Sequence, residues 1–255
     1  MITIKSKSEL EIMRKAGEIV ALAHEKIKEA IKPGVTTKEL DRIAEEVIIK
    51  SGATPSFKGV RGMPDAPLYP ASICASVNDE VVHGIPGLRV LNDGDIISID
   101  IGAFYGGFHA DAARTHPVGK ISIEAERLIM VTMECFYEGL KQAVFGNRIS
   151  DISAAIQVHA EKNGYSVVRE YVGHGIGREM WEPPQIPNFR TRERGPRLQP
   201  GMTLAVEPMI NAGRYEIKID ANKWTVRTLD GSLSAHYENT LAVTDGEPVI
   251  LTKLD

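Results

Sequence analysis

The sequence predicts an α/β fold of the mixed, α+β kind, built as two related halves. Three observations carry that reading: a pair of amphipathic helical stretches occurs twice, each pair is followed by short strand-like runs, and acids fall at matching places in those runs. No low-complexity tract or Pro/Gly/Ser linker divides the 255 residues, so a single domain spanning 1–255 is expected, with halves of about 1–120 and 121–255.

The first half opens with Ser8-x-x-Glu11, read as a capping box ahead of a stripe of Ile12, Ala16, Ile19, Val20, Ala23 and Ile27 that Pro33-Gly34 stops. Thr36-x-x-Glu39 opens a second helix with Leu40, Ile43, Ala44, Val47 and Ile48, closed by Gly52. In the second half a helix is expected from about Ile123 to Val144, then Gly146, then a helix with Ile152, Ala155 and Ile156, closed by Gly164. Gly34 to Gly52 and Gly146 to Gly164 are both 18 residues apart.

The strands repeat as well. "DGDIISID" ends in Asp100 six residues after Gly94, and "PGMTLAVE" ends in Glu207 six residues after Gly201. "DAARTHPVG" runs eight residues from Asp111 to Gly119, and "ENTLAVTDG" runs eight from Glu238 to Gly246. Upstream, "VVHGIPG" carries His83 and "YVGHGIG" carries His174. Equivalent elements of two such halves meet near a pseudo-two-fold axis, so Asp100, Asp111, Glu207, Glu238, His83 and His174 are expected to converge in one cleft.

The stretch "IDIGAFYGGFHAD" sharpens that expectation. Ile97, Ile99 and Ile101 alternate with Asp100, and beyond Gly106-Gly107 the residues His109, Asp111 and Ala113 share a face. A hairpin here sets two carboxylates side by side on one face of an apolar sheet, where they repel each other. A divalent cation compensates both.

Composition narrows the function classes. The chain is 43% hydrophobic and 25% charged with a net charge of −4, which gives no reason to expect a membrane surface or a specific nucleic acid as partner. Cys74 and Cys135 do not form a disulfide framework and suit a reducing compartment. The start, MITIKSKSEL, has no apolar core of signal-peptide length, and no run of about 18 apolar residues occurs. A soluble, cytoplasmic protein is expected.

Four carboxylates with histidines suit hard or borderline divalent ions such as Mn, Fe(II), Co or Zn. They are too many for one catalytic zinc, which typically takes three protein ligands. Two ions roughly 3.5–4 Å apart would share them, so hydrolysis is the first reaction class to weigh. Taken alone, each acid reads as a surface carboxylate; the joint pattern reverses that.

Asp100, Asp111, His174, Glu207 and Glu238, in the contexts "IDIG", "HAD", "GHGIG", "VEPM" and "HYENT", resemble the ligand set of the methionine aminopeptidases over essentially the whole chain. The spacing of 31 residues between Glu207 and Glu238 leaves no room for the insertion of the second, eukaryotic-type class, so the resemblance is to the bacterial type I enzymes. It implies a pita-bread fold, a curved antiparallel sheet with paired helices on its outer face, and a monomer. It further implies two divalent ions (Co, Mn, Fe or Zn) held by those five residues, and removal of the initiator methionine of nascent proteins with a small second residue. Within that family's scheme Glu207 is proton shuttle as well as ligand, and His83 is the unliganded histidine that contacts the scissile peptide. Tyr69, Cys74 and Trp224 match positions lining the methionine pocket, and Met180 and Trp181 follow the histidine ligand beside it. Asn78 and Ser234 match positions holding a monovalent cation (Na or K).

The sequence departs from the family at "GIGREMWEPPQ", where Trp181 stands in place of a histidine. An indole donates one hydrogen bond and exchanges no proton, so an altered rate is expected. Ala66 replaces an aromatic at the pocket mouth, within the long segment "KGVRGMPDAPLYP". His109 and His236 each precede a ligand by two residues and are expected to face the same cleft; His24, His116 and His159 lack such support. "RTRERGPR", residues 190–197, is read as a solvated basic loop, with transient ribosome contact as its functional alternative. Two other functions stand beside the leading one: an Xaa-Pro aminopeptidase or prolidase, and a metal-free peptide-binding module of the same fold.

Overall fold

The computed structural model describes residues 1–62 and 64–254; Met63, inside the rim segment, lies outside the described residues. The first half contains α1 (Lys7–Ala30), α2 (Thr37–Lys50), β1 (Thr54–Pro55), β2 (Ile73–Val77), β3 (Glu80–Val82), β4 (Ile96–Tyr105) and β5 (Phe108–Pro117). Then come α3 (Ile123–Leu140), α4 (Ile149–Lys162), β6 (Ser166–Val167), β7 (Gly173–Gly175), β8 (Glu182–Ile186), β9 (Thr203–Val206) and β10 (Met209–Asn211). The chain finishes with β11 (Ile217–Ile219), β12 (Val226–Thr228), β13 (Ser234–His236), β14 (Asn239–Ala242) and β15 (Val249–Ile250).

Both expected helix pairs are present, with two shifts at their ends. The capping box of α1 is Ser6-x-x-Glu9 and not Ser8-x-x-Glu11: Ser6 accepts from the Glu9 amide, and the Glu9 carboxylate accepts from the Ser6 amide at 2.9 Å. The Lys5 amide is already tied to the Gly201 carbonyl at 2.8 Å, which fixes the lead-in and starts the helix there. Glu11 pairs with Arg14 on the exposed face instead. In the second half α3 stops at Leu140, short of Val144, because the chain tightens into i→i+3 bonds at Gln142 and Ala143. Thr36 caps α2 as expected.

Every strand pairing among the described residues is antiparallel. One sheet joins β4 to β1, β2 and β5; a second runs β15-β14-β9-β7-β8. Smaller sheets β13-β10-β6 and β11-β12-β3 close the ends. Ile97, Ile99 and Ile101 of β4 pack with Ala110 and Ala112 of β5 against Ala16, Val20 and Ile48 of the first helix pair. Burying each isoleucine stabilises by about 1.5–3 kcal/mol, enough to hold the hairpin although its other face carries acids. Leu128, Phe136, Ile152 and Ile156 of α3 and α4 cover the second sheet likewise.

The halves meet where β5 lies along β14. Glu238 donates from its amide to the Ala113 carbonyl at 2.9 Å, and Ala113 returns a bond to Glu238 at 3.3 Å. Two residues away, Thr115 Oγ1 donates to the His236 carbonyl at 2.9 Å. This seam carries the candidate site. No helix of the described residues is long and apolar enough to cross a membrane.

Candidate metal centre

Strand register explains which acids come together. The β4–β5 ladder sets Asp100 opposite Ala113 and Gly102 opposite Asp111, so the two aspartates are diagonal neighbours on one face. Strand β4 does not end at Asp100; it runs on to Tyr105. In the other half β9 pairs with β14, Val206 opposite Asn239, and Glu207 and Glu238 flank the end of that ladder. The seam then places Asp111 beside Glu238.

His174 enters from β7, opposite Ala205 of β9. Its neighbours are glycines for a steric reason: a Cβ on Gly173 would meet the Ala205 oxygen at 2.4 Å, and one on Gly175 the Pro183 oxygen at 2.2 Å. The His174 Nδ1–H donates to the Gly175 carbonyl at 2.9 Å, which leaves Nε2 a lone pair. That Nε2 lies 3.6 Å from Glu207 Oε1. His236 Nε2 lies 3.9 Å from both Glu207 and Glu238.

The cluster has more negative charge than the protein itself balances. Burial, then the charges of Glu238 and Asp100, push Asp111 well above the usual carboxylate range. Burial and the neighbouring acids do the same to Glu207 and Glu238, and burial raises Asp100 to about 7. Asp100 Oδ1, Asp111 Oδ1, Glu238 Oε1 and His236 Nε2 are buried without hydrogen-bond partners. Ligand atoms of Asp111, His174 and Glu238 lie within 4.8 Å of one another. Buried oxygens that repel each other and lack donors fit a divalent cation with oxygen and imidazole ligands.

A cleft of about 610 Å³ opens beside the acids. Tyr69, Cys74, Trp224, His83 and Tyr171 line it. The Tyr69 hydroxyl is 3.0 Å from the carbonyls of Ile73 and Gly84, its ring packs edge-on at 5.0 Å to Trp224, and Trp224 Nε1 donates to Pro67. Cys74 stands opposite Asp100 on β2. His83, with φ 59°, is set against Tyr171 and Trp224 at 5.2 and 6.3 Å between ring centres. Burial lowers its pKa to about 4.

Some expected neighbours stand elsewhere. Met180 is turned into an apolar cluster with Met13, Phe57, Phe108 and Ile176 and does not line the cleft. Alternation from there sends Trp181 the other way, 56% exposed at the mouth with its ring 6.3 Å from His174. His109 is drawn off by a 2.9 Å bond with Ser56 and by the Phe104 ring at 4.5 Å, whereas His236 does line the cleft. Asn78 and Ser234 touch main chain to main chain at 2.9 Å, and neither lines the cleft. Tyr171, which walls His83, is an addition to the expected set; it precedes the "VGHGIG" run by one position, a weak signal in sequence. The 190–197 loop is partly anchored, Arg194 to Asp151 at 3.5 Å and Arg197 to the Gly146 carbonyl at 3.0 Å.

Known proteins share this arrangement. The profile of metallopeptidase family M24 matches residues 11–245. Methionine aminopeptidase 1 of Bacillus subtilis (strain 168) is 56% identical over 254 residues, covering 100% of both chains. The crystal structure of methionine aminopeptidase from Thermotoga maritima superposes with a TM-score of 0.95 at 42% identity, covering 100% of both chains. An Xaa-Pro dipeptidase from Bacillus anthracis is more distant, with a TM-score of 0.78, 26% identity and only 62% of its own chain covered. The described architecture is therefore the pita-bread fold. Seam, acids and full-length similarity agree: the chain belongs to metallopeptidase family M24, in its methionine aminopeptidase group.

Proposed function

We propose that this chain, acting as one catalytic domain, hydrolyses the N-terminal methionine from nascent polypeptides and peptides with a small second residue. The observation that carries the proposal is the convergence of Asp100, Asp111, His174, Glu207 and Glu238 beside a cleft walled by Tyr69, Cys74 and Trp224. Those five residues would hold two divalent ions drawn from Co, Mn, Fe and Zn. Bound ions of this kind polarise a scissile carbonyl and acidify water.

The protein's own groups do the rest. Glu207, within reach of His174 and His236, takes the proton of the attacking water and returns it to the leaving amine. His83 is neutral at pH 7 because burial holds it near 4, so it donates an N–H to the scissile peptide without adding charge. Tyr69, Trp224 and Cys74 surround a thioether with aromatic faces and a soft sulfur, a fit that favours methionine over polar side chains. Trp181, at the mouth, offers one indole N–H and no exchangeable proton.

Asn78 and Ser234 are proposed to hold a monovalent cation (Na or K) through main-chain and hydroxyl oxygens. A cytoplasmic monomer with transient ribosome contact through residues 190–197 completes the reading.

The test is product analysis of Met-Ala-Ser and Ala-Pro-Ala with metal-stripped protein resupplied with Mn, Co, Fe(II) or Zn, wild type beside Asp111→Asn. Metal-dependent release of methionine, lost in the variant, is expected. Cleavage of Ala-Pro-Ala alone points to the prolidase reading, and no cleavage under any metal to a binding module.

A further inference from the structure

The geometry points to a second binding site, for a small oxyanion bearing a carboxylate or phosphate group, on the helix-facing side of the sheet behind the metal centre. A cavity of about 480 Å³ lies there between α1, β5, α3 and residues 252–254. That volume suits a small organic ligand. Arg114 and His116 reach it because β5 alternates, sending even-numbered residues toward the helices as it does Ala110 and Ala112.

Its polar lining is incomplete. His24, only 5% exposed, must donate from Nε2 to the Ala112 carbonyl at 2.8 Å, since a carbonyl only accepts; its Nδ1 is left buried and without a partner. The buried Nε2 of His116 has no partner either. Arg114 lies over the Tyr237 ring at 4.4 Å and donates to the carbonyls of Ala113 and Glu238 and to Asn239 Oδ1. All three acceptors are neutral; the Glu238 and Glu25 carboxylates attract this guanidinium through space, and among the described residues none makes an ion-pair contact with it. Lys28 and Lys253 add positive charge to the wall, against Glu25 as its carboxylate among the described residues.

A part-buried guanidinium with no carboxylate in contact is costly, and an oxyanion accepting from Arg114 and Lys28 lowers that cost. Either imidazole, on taking up a proton, becomes a further donor to it. The positive field is already felt there. Behind burial, Arg114 and Lys28 help hold His116 at about 4, and Arg114 acts on His24 in the same direction. The same cations argue against a metal ion in this cavity.

The test is calorimetric titration of the zinc-loaded full chain with sodium phosphate and, separately, sodium acetate at constant ionic strength. Imidazole Cε1–H resonances are followed alongside. Because Arg114 also holds the Glu238 carbonyl, Arg114→Gln is paired with Lys28→Gln, which touches no metal ligand. Saturable one-to-one binding that shifts His24 and His116, and that weakens by about tenfold or more in both variants, is the expected result. Phosphate-only or acetate-only binding identifies the anion and supports the site. Binding of neither anion, undiminished binding in both variants, or shifts at His174 in place of His24 and His116 overturns it.

Discussion

Asp111 and Thr240 are joined twice through one hydroxyl: the Asp111 amide donates to Thr240 Oγ1 at 2.9 Å, and Oγ1 donates to the Asp111 carbonyl at 2.9 Å. The pair spans the two halves and fixes the main chain beneath a candidate metal ligand. Thr240→Val keeps the shape and leaves a buried N–H and C=O without partners. A loss of about 1–3 kcal/mol in unfolding free energy is expected. Displaced support should also weaken Mn binding by roughly 10–100-fold. Urea denaturation and metal titration check both, and a variant matching wild type in each would mean the clamp does not position Asp111.

Asp111→Asn separates repulsion from ligation. Without metal the variant removes one buried acid from a cluster whose members raise one another's pKa, so its melting temperature should equal or exceed that of metal-free wild type. With metal the order reverses. At a metal concentration 100 times Kd the wild type gains about 2.7 kcal/mol, which the variant forgoes. Differential scanning calorimetry with and without Mn reads the crossover; parallel melting shifts in both proteins would contradict it.

The helix-side histidines set an acid limit on stability. In the folded chain His116 is lowered to about 4, by burial first and then by Arg114 and Lys28; in the unfolded chain it returns to the ordinary value near 6.5. The unfolded state therefore binds its proton first as pH falls. Stability from this group is full above about 6.5 and is lost on descent toward 4. Urea midpoints between pH 7.5 and 4.5 should fall less steeply in His116→Gln than in wild type. Equal slopes would show that His116 is protonated in the native state as well.

Trp181 tests the mouth of the cleft. Half-exposed at the mouth, it contributes little to stability, so Trp181→His should unfold within about 0.5 kcal/mol of wild type. An imidazole there both donates and exchanges a proton, and kcat on Met-Ala-Ser should rise on the order of tenfold or more, short of the 10²–10³ of a fully oriented donor. Unchanged kcat would show that the indole already does this work or that the position stands clear of the reacting peptide.

What the sequence made legible follows from the reach of each signal. Period-two alternation in β4 and β5 is local, so it placed Asp100 and Asp111 on one face and the isoleucines on the other. Repeated spacing made the two helix pairs visible for the same reason. End effects were not legible: Ser6 and Ser8 stand at equal distances from Glu9 and Glu11, and only the distant Gly201 decides between them. Met180 and Trp181 are both expected beside the cleft, and Met180 turns to the core because cleft or core depends on the phase of a short irregular run after β7. His109 was claimed by Ser56, from a segment no periodicity links to it. Thr240, Tyr171 and the Arg114 cavity arise only where one half meets the other.

That meeting has a kinetic side. The seam bonds join residues 121 to 129 apart in the chain, and the acids divide as Asp100 and Asp111 from one half against Glu207 and Glu238 from the other. Contacts of such long sequence separation form late, after their loops have closed. A chain with only one half folded would hold two of those four acids and would bind a divalent ion weakly. With the proposed ligands, metal uptake would favour the finished fold alone, and a chelator added mid-refolding should slow no step that precedes docking of the halves.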